Sequence, residues 1–195
     1  PDQPVALERI DGHAMVVNAE ALRRAGLLEG GCPVVEGGEV VLDGQGLPTG
    51  VLIDNACGLV SAIIPSHPEP RRLEALLEAQ SNLLAHGIVS ITDAGLSPAE
   101  IERIDALQEA GLLKLRVNAL VTASDENIAW LVDSGRRIED MLVVNGVKFY
   151  MDGALGSRGA LLRQPYSDRK GWFGLATQRQ AEFLSLIHIS EPTRP

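Results

Sequence analysis

The sequence predicts an α/β fold whose second half alternates helices with parallel strands. From Glu69 onward, leucine-rich segments at helical spacing alternate with short β-branched runs. Such alternation favours right-handed βαβ units around a parallel sheet. Before residue 65, two β-prone runs flank an Asp-Gly turn, which predicts an antiparallel hairpin. The residues alone allow the parallel sheet to be either an open doubly wound sheet or part of a barrel.

The first third of the chain is expected to be rich in loops and to carry one short helix and one hairpin. Asn18 is a typical N-cap, and Gly26 ends the apolar spacing that follows it. The hairpin is predicted from Glu39–Leu42 and Gly50–Ile53.

The second half is expected to contain three helices, each followed by a strand. The first helix starts near Glu69 and ends at Gly87. The second is opened by Ser97, whose spacing to Glu100 is that of a capping box, and the third is opened by Ser124. The predicted strands are Ile88–Thr92, Leu115–Val121 and Val144–Met151.

Composition and charge narrow the classes of function. The 195 residues carry 17 Lys and Arg against 26 Asp and Glu, a net charge of −9. This acidic balance argues against nucleic-acid binding and against docking on an anionic membrane. No apolar run is long enough for a transmembrane helix. Cys32 and Cys57 lie far apart, and two reduced thiols are expected rather than a disulfide.

The two ends of the sequence do not resemble natural termini. The chain starts with Pro1 and no leader follows, so we expect it to begin inside a larger protein. For the cellular location, we favour the cytoplasm on general grounds alone. Leu184–Pro195 resembles a translated sequencing adapter, which removes His188 as a candidate metal ligand. The expected division is therefore a segment 1–65, a βα region 66–183 and a non-native tail 184–195.

The stretch from Val147 to Arg158 is the richest in chemically useful residues. Because side chains alternate along a strand, Lys148, Tyr150 and Asp152 are predicted to share one face. A lysine in an apolar strand must reach solvent or find a partner. A salt bridge to a nearby carboxylate is the simplest role for Lys148, and a role in an active site at the carboxyl ends of the strands is the alternative.

Several blocks, in the same order, resemble the amidohydrolase-3 (YtcJ-like) family of the metal-dependent amidohydrolase superfamily. The similarity spans nearly the whole chain up to Phe183. The blocks are Arg9–Ala14 with Asn18–Leu22, Leu47–Leu52, Gly87–Gly95, Val147–Arg158 and Gln164–Asp168.

The resemblance implies a fold and a chemistry. It implies a partial (β/α)8 TIM-type barrel with a β-containing N-terminal excursion. It also implies hydrolysis of carbon–nitrogen bonds in small amide-type substrates, with one or two divalent metal ions, zinc being favoured. The lysine matching Lys148 is the candidate carboxylated lysine, whose carbamate would bind metal through its oxygens. The sequence leaves open whether the intact protein is a homo-oligomer.

Three further residues are candidates for substrate binding. The family block that contains His13 places it in the substrate pocket, although a loop-stabilising histidine is equally consistent with the sequence. Arg158 could bind a substrate carboxylate, or form a surface ion pair. Asp152 could orient Lys148 or a water, or bond its own turn. Asp93 ends a strand where site residues gather, but an Asx-type turn is the more ordinary role.

The sequence also departs from the family pattern. No His-x-His pair occurs, and His13, His67 and His86 stand alone. The catalytic residues are therefore expected outside this chain, which by itself should be inactive. The alternative is a barrel-fold binding protein that has lost its metal site.

Overall fold

The computed structural model describes residues 2–28, 32–181 and 183–185. The chain divides into two compact units. The first comprises the described residues of Pro1–Pro65 and Tyr150–Glu182, and the second comprises those of Ser66–Phe149 and Phe183–Pro195. No helix among the described residues combines the length and the apolar character that a membrane crossing requires.

The first unit is built on an antiparallel sheet of four strands. Its elements are β1 (Ala6–Glu8), β2 (Ala14–Val17), α1 (Ala19–Arg24), β3 (Gly38–Leu42), β4 (Pro48–Asp54) and α2 (Gly58–Ser61). The strand order is β1-β2-β4-β3. The core contains the buried side chains of Met15, Val17, Ala21, Leu22, Leu27, Leu52, Ala56, Cys57 and Val60.

Local sequence signals explain the first unit's helix and hairpin, as predicted. The Asn18 side chain accepts a hydrogen bond from the Ala21 N–H and so caps α1. Gly26 follows the helix with a φ of 72°, a value that favours glycine. Between β3 and β4, the Asp43 carboxylate accepts hydrogen bonds from the N–H groups of Gln45 and Leu47 and so fixes the turn.

Residues beyond Tyr150 complete the first unit. Asp152 forms a bridge with Ala176, and a 3-10 turn covers Leu155–Ser157. Arg169 makes two hydrogen bonds of 2.8 and 2.7 Å to the Glu39 carboxylate on β3. These hydrogen bonds attach the segment after Tyr150 to β3, which lies more than a hundred positions earlier in the sequence.

The second unit contains the predicted alternation of helices and strands. Its elements are α3 (Glu69–Ala85), β5 (Ser90–Leu96), α4 (Pro98–Glu109), β6 (Arg116–Thr122), α5 (Asp125–Ser134), β7 (Arg137–Ile138) and β8 (Leu142–Lys148). The sheet order is β5-β6-β8-β7, with β5, β6 and β8 parallel and β7 antiparallel to β8. The mixed α/β class and the parallel strands are confirmed, whereas closure into a barrel stays a prediction.

Capping and apolar burial fix the helices of the second unit. Ser97 and Glu100 form the predicted capping box of α4, and Ser124 caps α5 through the Asn127 N–H. The core comprises the buried side chains of Ile101, Ile104, Leu107, Leu113, Leu115, Val117, Ala119, Val121, Leu142 and Val144.

Two predicted strand boundaries are wrong. The strand expected over Ile88–Thr92 is observed as β5 at Ser90–Leu96, because its pairing with β6 begins at Ser90 opposite Arg116. The strand expected over Val144–Met151 is observed as β8, which ends at Lys148. The prediction that Tyr150 and Asp152 share a strand face with Lys148 therefore fails, because the chain leaves the sheet after Lys148.

Of Leu184–Pro195, residues 186–195 lie outside the described residues, as does the discounted His188.

Candidate functional site

The first unit contains a cleft of about 380 Å³. Both parts of that unit contribute to it. Its walls are formed by Asp11, Gly12, His13, Asp54, Asn55, Tyr150, Thr177 and Gln178.

Strand register places His13 opposite Asp54 in this cleft. Strands β2 and β4 are antiparallel neighbours, and Ala14 pairs with Ile53. His13 immediately precedes β2 and Asp54 is the last residue of β4, so the next pair outward joins these two residues. Their backbones are also connected, since the Asp54 N–H donates to the His13 carbonyl at 3.2 Å.

The His13 and Asp54 side chains form a short hydrogen bond. His13 Nδ1 lies 2.6 Å from Asp54 Oδ1. The Asp54 side chain is 1% exposed and that of His13 is 24% exposed. When Asp54 is ionised, its carboxylate can only accept, and Nδ1 of His13 is the donor of this hydrogen bond. That arrangement fixes the ring's tautomer and makes Nε2 the nitrogen available to a ligand.

Tyr150 packs against the imidazole ring. The two ring centroids are 5.9 Å apart with an interplanar angle of 72°, an edge-to-face contact. The Tyr150 carbonyl accepts a hydrogen bond from the Thr177 hydroxyl at 2.9 Å. Tyr150 is thus held by backbone and ring contacts within the first unit.

The Asp54 carboxylate is enclosed by two glycines. Asp54 Oδ2 is buried with no hydrogen-bond partner among the described residues. A Cβ added to Gly153 would lie 2.1 Å from this oxygen, and one added to Gly159 would lie 2.3 Å from it. Asp54 also has a φ of 48°, which few residues other than glycine adopt. The buried carboxylate therefore depends on close backbone approach by these glycines.

Asp11 supplies a second carboxylate at the cleft. Arg9 binds it through two nitrogens, at 2.6 Å each. These hydrogen bonds lower the pKa of Asp11 to about 2, so its carboxylate is ionised at neutral pH. Asp11 also accepts a hydrogen bond from the His13 backbone N–H at 3.2 Å, which ties the two residues together.

Amide and hydroxyl side chains form the remaining wall. The Asn55 Nδ2 donates to the carbonyls of Glu36 and Thr177 at 2.9 and 3.0 Å. Gln178 Oε1 is buried and has no hydrogen-bond partner among the described residues. Both amide side chains line the cleft, while the Gln178 Oε1 atom itself is enclosed by the protein.

Of the three residues predicted to bind substrate, only His13 lines this cleft. Asp152 Oδ2 accepts a hydrogen bond from the Leu161 N–H at 2.8 Å, and so bonds the backbone of its own segment. Arg158 binds Asp168 at 3.0 and 2.6 Å through a pair in which both side chains are exposed. Substrate binding by Arg158 and Asp152 stays a prediction.

Lys148 lies in the second unit, at the carboxyl end of β8. It pairs in register with Thr122, while the preceding Val147 pairs with the fully buried Val121. Val121 faces the helical core, so alternation places Lys148 on the opposite face of the sheet. Active sites of parallel α/β proteins lie at this end of the sheet.

Asp93 lies within β5 rather than in a turn beyond it. Partial desolvation by neighbouring atoms and, to a lesser extent, the nearby Glu100 raise the pKa of its carboxyl group.

The described residues do not make a complete metal centre. Within residues 2–28, 32–181 and 183–185, no group of three or more His, Cys, Asp and Glu side chains could hold a metal ion. Metal sites use several such donors together.

Comparison with known proteins identifies the family. A model of the amidohydrolase family matches residues 1–189. The chain belongs to the amidohydrolase family. The family membership predicted from the ordered sequence blocks is thereby confirmed.

The named relatives and solved structures to which the chain is similar are much longer than the chain. A Bacillus subtilis (strain 168) protein named as an amidohydrolase, YtcJ, is 32% identical over 177 residues, which are 86% of this chain and 32% of the relative. Protein LONG AFTER FAR-RED 3 of Arabidopsis thaliana is 29% identical over 187 residues, 90% of this chain and 32% of the relative. The chain thus spans about a third of these relatives.

Solved structures agree with the fold. An uncharacterized metal-dependent hydrolase from Pyrococcus horikoshii OT3 matches with a TM-score of 0.67 and 25% identity, over 97% of this chain and 37% of that one. A second, from Pyrococcus furiosus, matches with a TM-score of 0.65 and 25% identity, over 97% and 38%.

Most residues of the cleft were not predicted from the sequence. Asp54, Asn55, Thr177 and Gln178 were not candidates. The one available signal was Asp54, a carboxylate at the end of an apolar strand, but its partner His13 lies 41 positions away. Only the pairing of β2 with β4 connects them.

Proposed function

We propose that the longer protein to which this chain belongs hydrolyses carbon–nitrogen bonds in small amide-type substrates with the help of divalent metal ions, zinc being favoured. The observation that carries the proposal is the family match over residues 1–189. The metal-dependent hydrolases with TM-scores of 0.67 and 0.65 support it. Bound divalent ions activate water and polarise carbonyl groups, which is the chemistry that amide hydrolysis needs.

Within this proposal, the sheet of the second unit belongs to a (β/α)8 barrel, and Lys148 is a metal ligand. Its position supports the role, because it ends a parallel strand on the face opposite the helical core. An unprotonated lysine amine that adds carbon dioxide and releases one proton to solvent becomes a carbamate anion with two oxygen donors. The oxygen donors suit divalent ions far better than an ammonium group would.

The test compares two lysine substitutions in the full-length protein. Lys148→Ala should remove metal-dependent amide hydrolysis by on the order of a hundredfold or more, and should reduce bound metal. Lys114→Ala is the matched control, because Lys114 is exposed and precedes the opposite end of the sheet, before β6. The measurements are metal content by mass spectrometry and hydrolysis of a panel of N-acyl amines.

The role of Lys148 has its own readout. Protein equilibrated with ¹³C-labelled bicarbonate should show a carbamate carbon signal that Lys148→Ala removes and Lys114→Ala keeps. A full-length protein that binds no stoichiometric metal and hydrolyses no amide would refute the proposal and favour a barrel-fold binding protein. The 195-residue chain alone should be inactive, because no metal centre is complete among its described residues.

A further inference from the structure

Strand β8 carries one residue more than its neighbour β6 can pair with. Val144 pairs with Ala119. The next residue of β6, Leu120, pairs with Gly146, so the exposed Asn145 has no opposite residue in β6. Such an insertion is a β-bulge, which bends a strand and re-aims the side chains beyond it.

The bulge decides which face of the sheet the residues after it occupy. Val144 and its partner Ala119 belong to the helical core of the second unit. Beyond the bulge, Val147 pairs with Val121, which belongs to the same core. Two residues separate Val144 from Val147, whereas regular alternation returns a strand to the same face at every second residue. The bulge absorbs the extra residue, and Lys148 therefore lies on the face opposite the helical core.

Without the bulge, the same sequence would turn Lys148 toward the helices. In an uninterrupted strand, Gly146 and Lys148 would share the face of Val144, because a register shift of one residue moves every following side chain to the other face. A lysine on that face would bring its charge toward apolar side chains, and Val147 would leave the face of its present partner Val121. Both effects favour the bulged pairing.

Glycine at position 146 leaves room for the bulged pairing. A Cβ added to Gly146 would lie 2.9 Å from Leu120 Cδ2, so the Leu120 side chain would have to move. A β-branched side chain at this position would add two more carbons to the same crowded space. In the uninterrupted pairing, that side chain would instead share the face of Val121. The residue type at 146 therefore influences which pairing forms.

The strand on the other side of β6 has a bulge at the same level. Leu120 pairs with Ala94. The next residue, Val121, pairs with Leu96, which packs against the helical core. Gly95 is the extra residue of β5, and its φ is 136°. Both neighbours of β6 thus change register near their carboxyl ends, the end of a parallel sheet where active sites lie.

We propose that the bulge at Asn145 and Gly146 is the positioning element that turns Lys148 to the face opposite the helical core. Gly146 and Leu120 are positioning residues that act through Lys148. The importance of this orientation for metal binding rests on the proposed function. The orientation itself follows from the pairing of β8 with β6 and can be tested without metal.

The first experiment measures the pairing by NMR in the 195-residue chain with labelled valine and leucine methyl groups. The methyl groups of Val147 and Val121 should show a nuclear Overhauser contact in the unsubstituted protein and in Leu120→Ala. In Gly146→Val this contact should be lost, and the new methyl groups at position 146 should contact Val121 instead. The double substitution Gly146→Val with Leu120→Ala should regain the original contact, because the smaller alanine makes room for the valine.

The second experiment connects the orientation to chemistry in the full-length protein. The ¹³C carbamate signal assigned to Lys148 should be kept in Leu120→Ala, lost in Gly146→Val and restored in the double substitution. A backbone ¹H–¹⁵N spectrum of each variant of the 195-residue chain checks that the fold is kept. A glycine needed only for stability would not produce this pattern in folded variants.

Several results would overturn the proposal. The Val147 to Val121 contact could be missing from the unsubstituted protein, could persist in Gly146→Val, or could stay absent from the double substitution. If Gly146→Val does not fold, deletion of Asn145 decides, because removing the extra residue should keep this contact and its loss would contradict the inference. A full-length protein without a carbamate signal would refute the proposed role of Lys148, while the methyl contacts would still decide its orientation.

Discussion

Replacing Gly159 with alanine tests the enclosure of the Asp54 carboxylate. The added Cβ would lie 2.3 Å from Asp54 Oδ2, 2.9 Å from the Gly153 Cα and 3.2 Å from the Ala154 nitrogen. The first two distances are shorter than Cβ contacts allow, and two of the three atoms belong to the backbone. The carboxylate or the loop must therefore move, and with it the hydrogen bond to His13.

The expected loss of folding stability is that of overpacking a buried site. Forcing an extra carbon into a well-packed region destabilises a protein by about 1–3 kcal/mol. Gly156→Ala is the matched control, because it lies in the same segment and its Cβ would meet nothing within 4 Å. For Gly156→Ala we expect no loss of folding stability, or a gain of about 0.4–1 kcal/mol, because alanine restricts the conformations of the unfolded chain.

Urea unfolding, followed by tryptophan fluorescence, measures the effect. Trp172 is a local reporter, since its indole N–H donates to the Arg158 carbonyl at 2.6 Å, next to Gly159. A Trp130→Phe background removes the only other tryptophan. At a slope of about 2 kcal/mol/M, Gly159→Ala should lower the Trp172 midpoint by about 0.5–1.5 M.

A double-mutant cycle assigns the cost to Asp54. In an Asp54→Ala background the carboxylate is gone, so the Gly159→Ala penalty should shrink by about 0.5–3 kcal/mol. The reasoning is refuted if Gly159→Ala is as stable as Gly156→Ala, or if its penalty is unchanged without the Asp54 carboxylate.

Three further predictions use other residues. Burial raises the pKa of Cys57 to about 11, so a thiol reagent at pH 8 should label Cys32 in the native protein and Cys57 only on unfolding; equal native rates would contradict this. Ser97→Ala removes the N-cap of α4 and should destabilise the second unit by about 1 kcal/mol in urea unfolding. An unchanged unfolding midpoint would show that the cap does not stabilise this unit. Arg9 lowers the pKa of Asp11 to about 2, so the pair stabilises the fold above about pH 4 and this contribution is lost as the pH falls through 2. In Arg9→Gln the Asp11 carboxyl carbon should titrate in NMR near its ordinary value of 3.8 instead, and an unshifted midpoint would contradict the assignment.

The features that the sequence predicted are local. The caps at Asn18, Ser97 and Ser124 each involve a side chain and a backbone N–H three residues away. The β3–β4 hairpin depends on a turn that Asp43 fixes within its own loop. Such interactions involve few residues, so the residue types themselves indicate them.

The features that the sequence did not predict depend on distant contacts. The strand containing Lys148 ends there because Tyr150 and the residues after it join the first unit, and nothing in the alternation of Val147–Asp152 indicates that change. Likewise, Asp54 lies beside His13 only because β2 pairs with β4. Long-range pairing of this kind is not encoded in the period of a single segment.

Contacts within the first unit link several of the sequence blocks that resemble the family. His13 belongs to the first block, Asp54 follows Leu47–Leu52 by two residues, and Gly153 belongs to the block that also contains Lys148. The histidine receives its orientation from the aspartate, and the aspartate has room only because the glycine carries no side chain. Part of the glycine-containing stretch after Lys148 therefore serves the His13 and Asp54 pair, and its residues need not all act on the chemistry of the lysine.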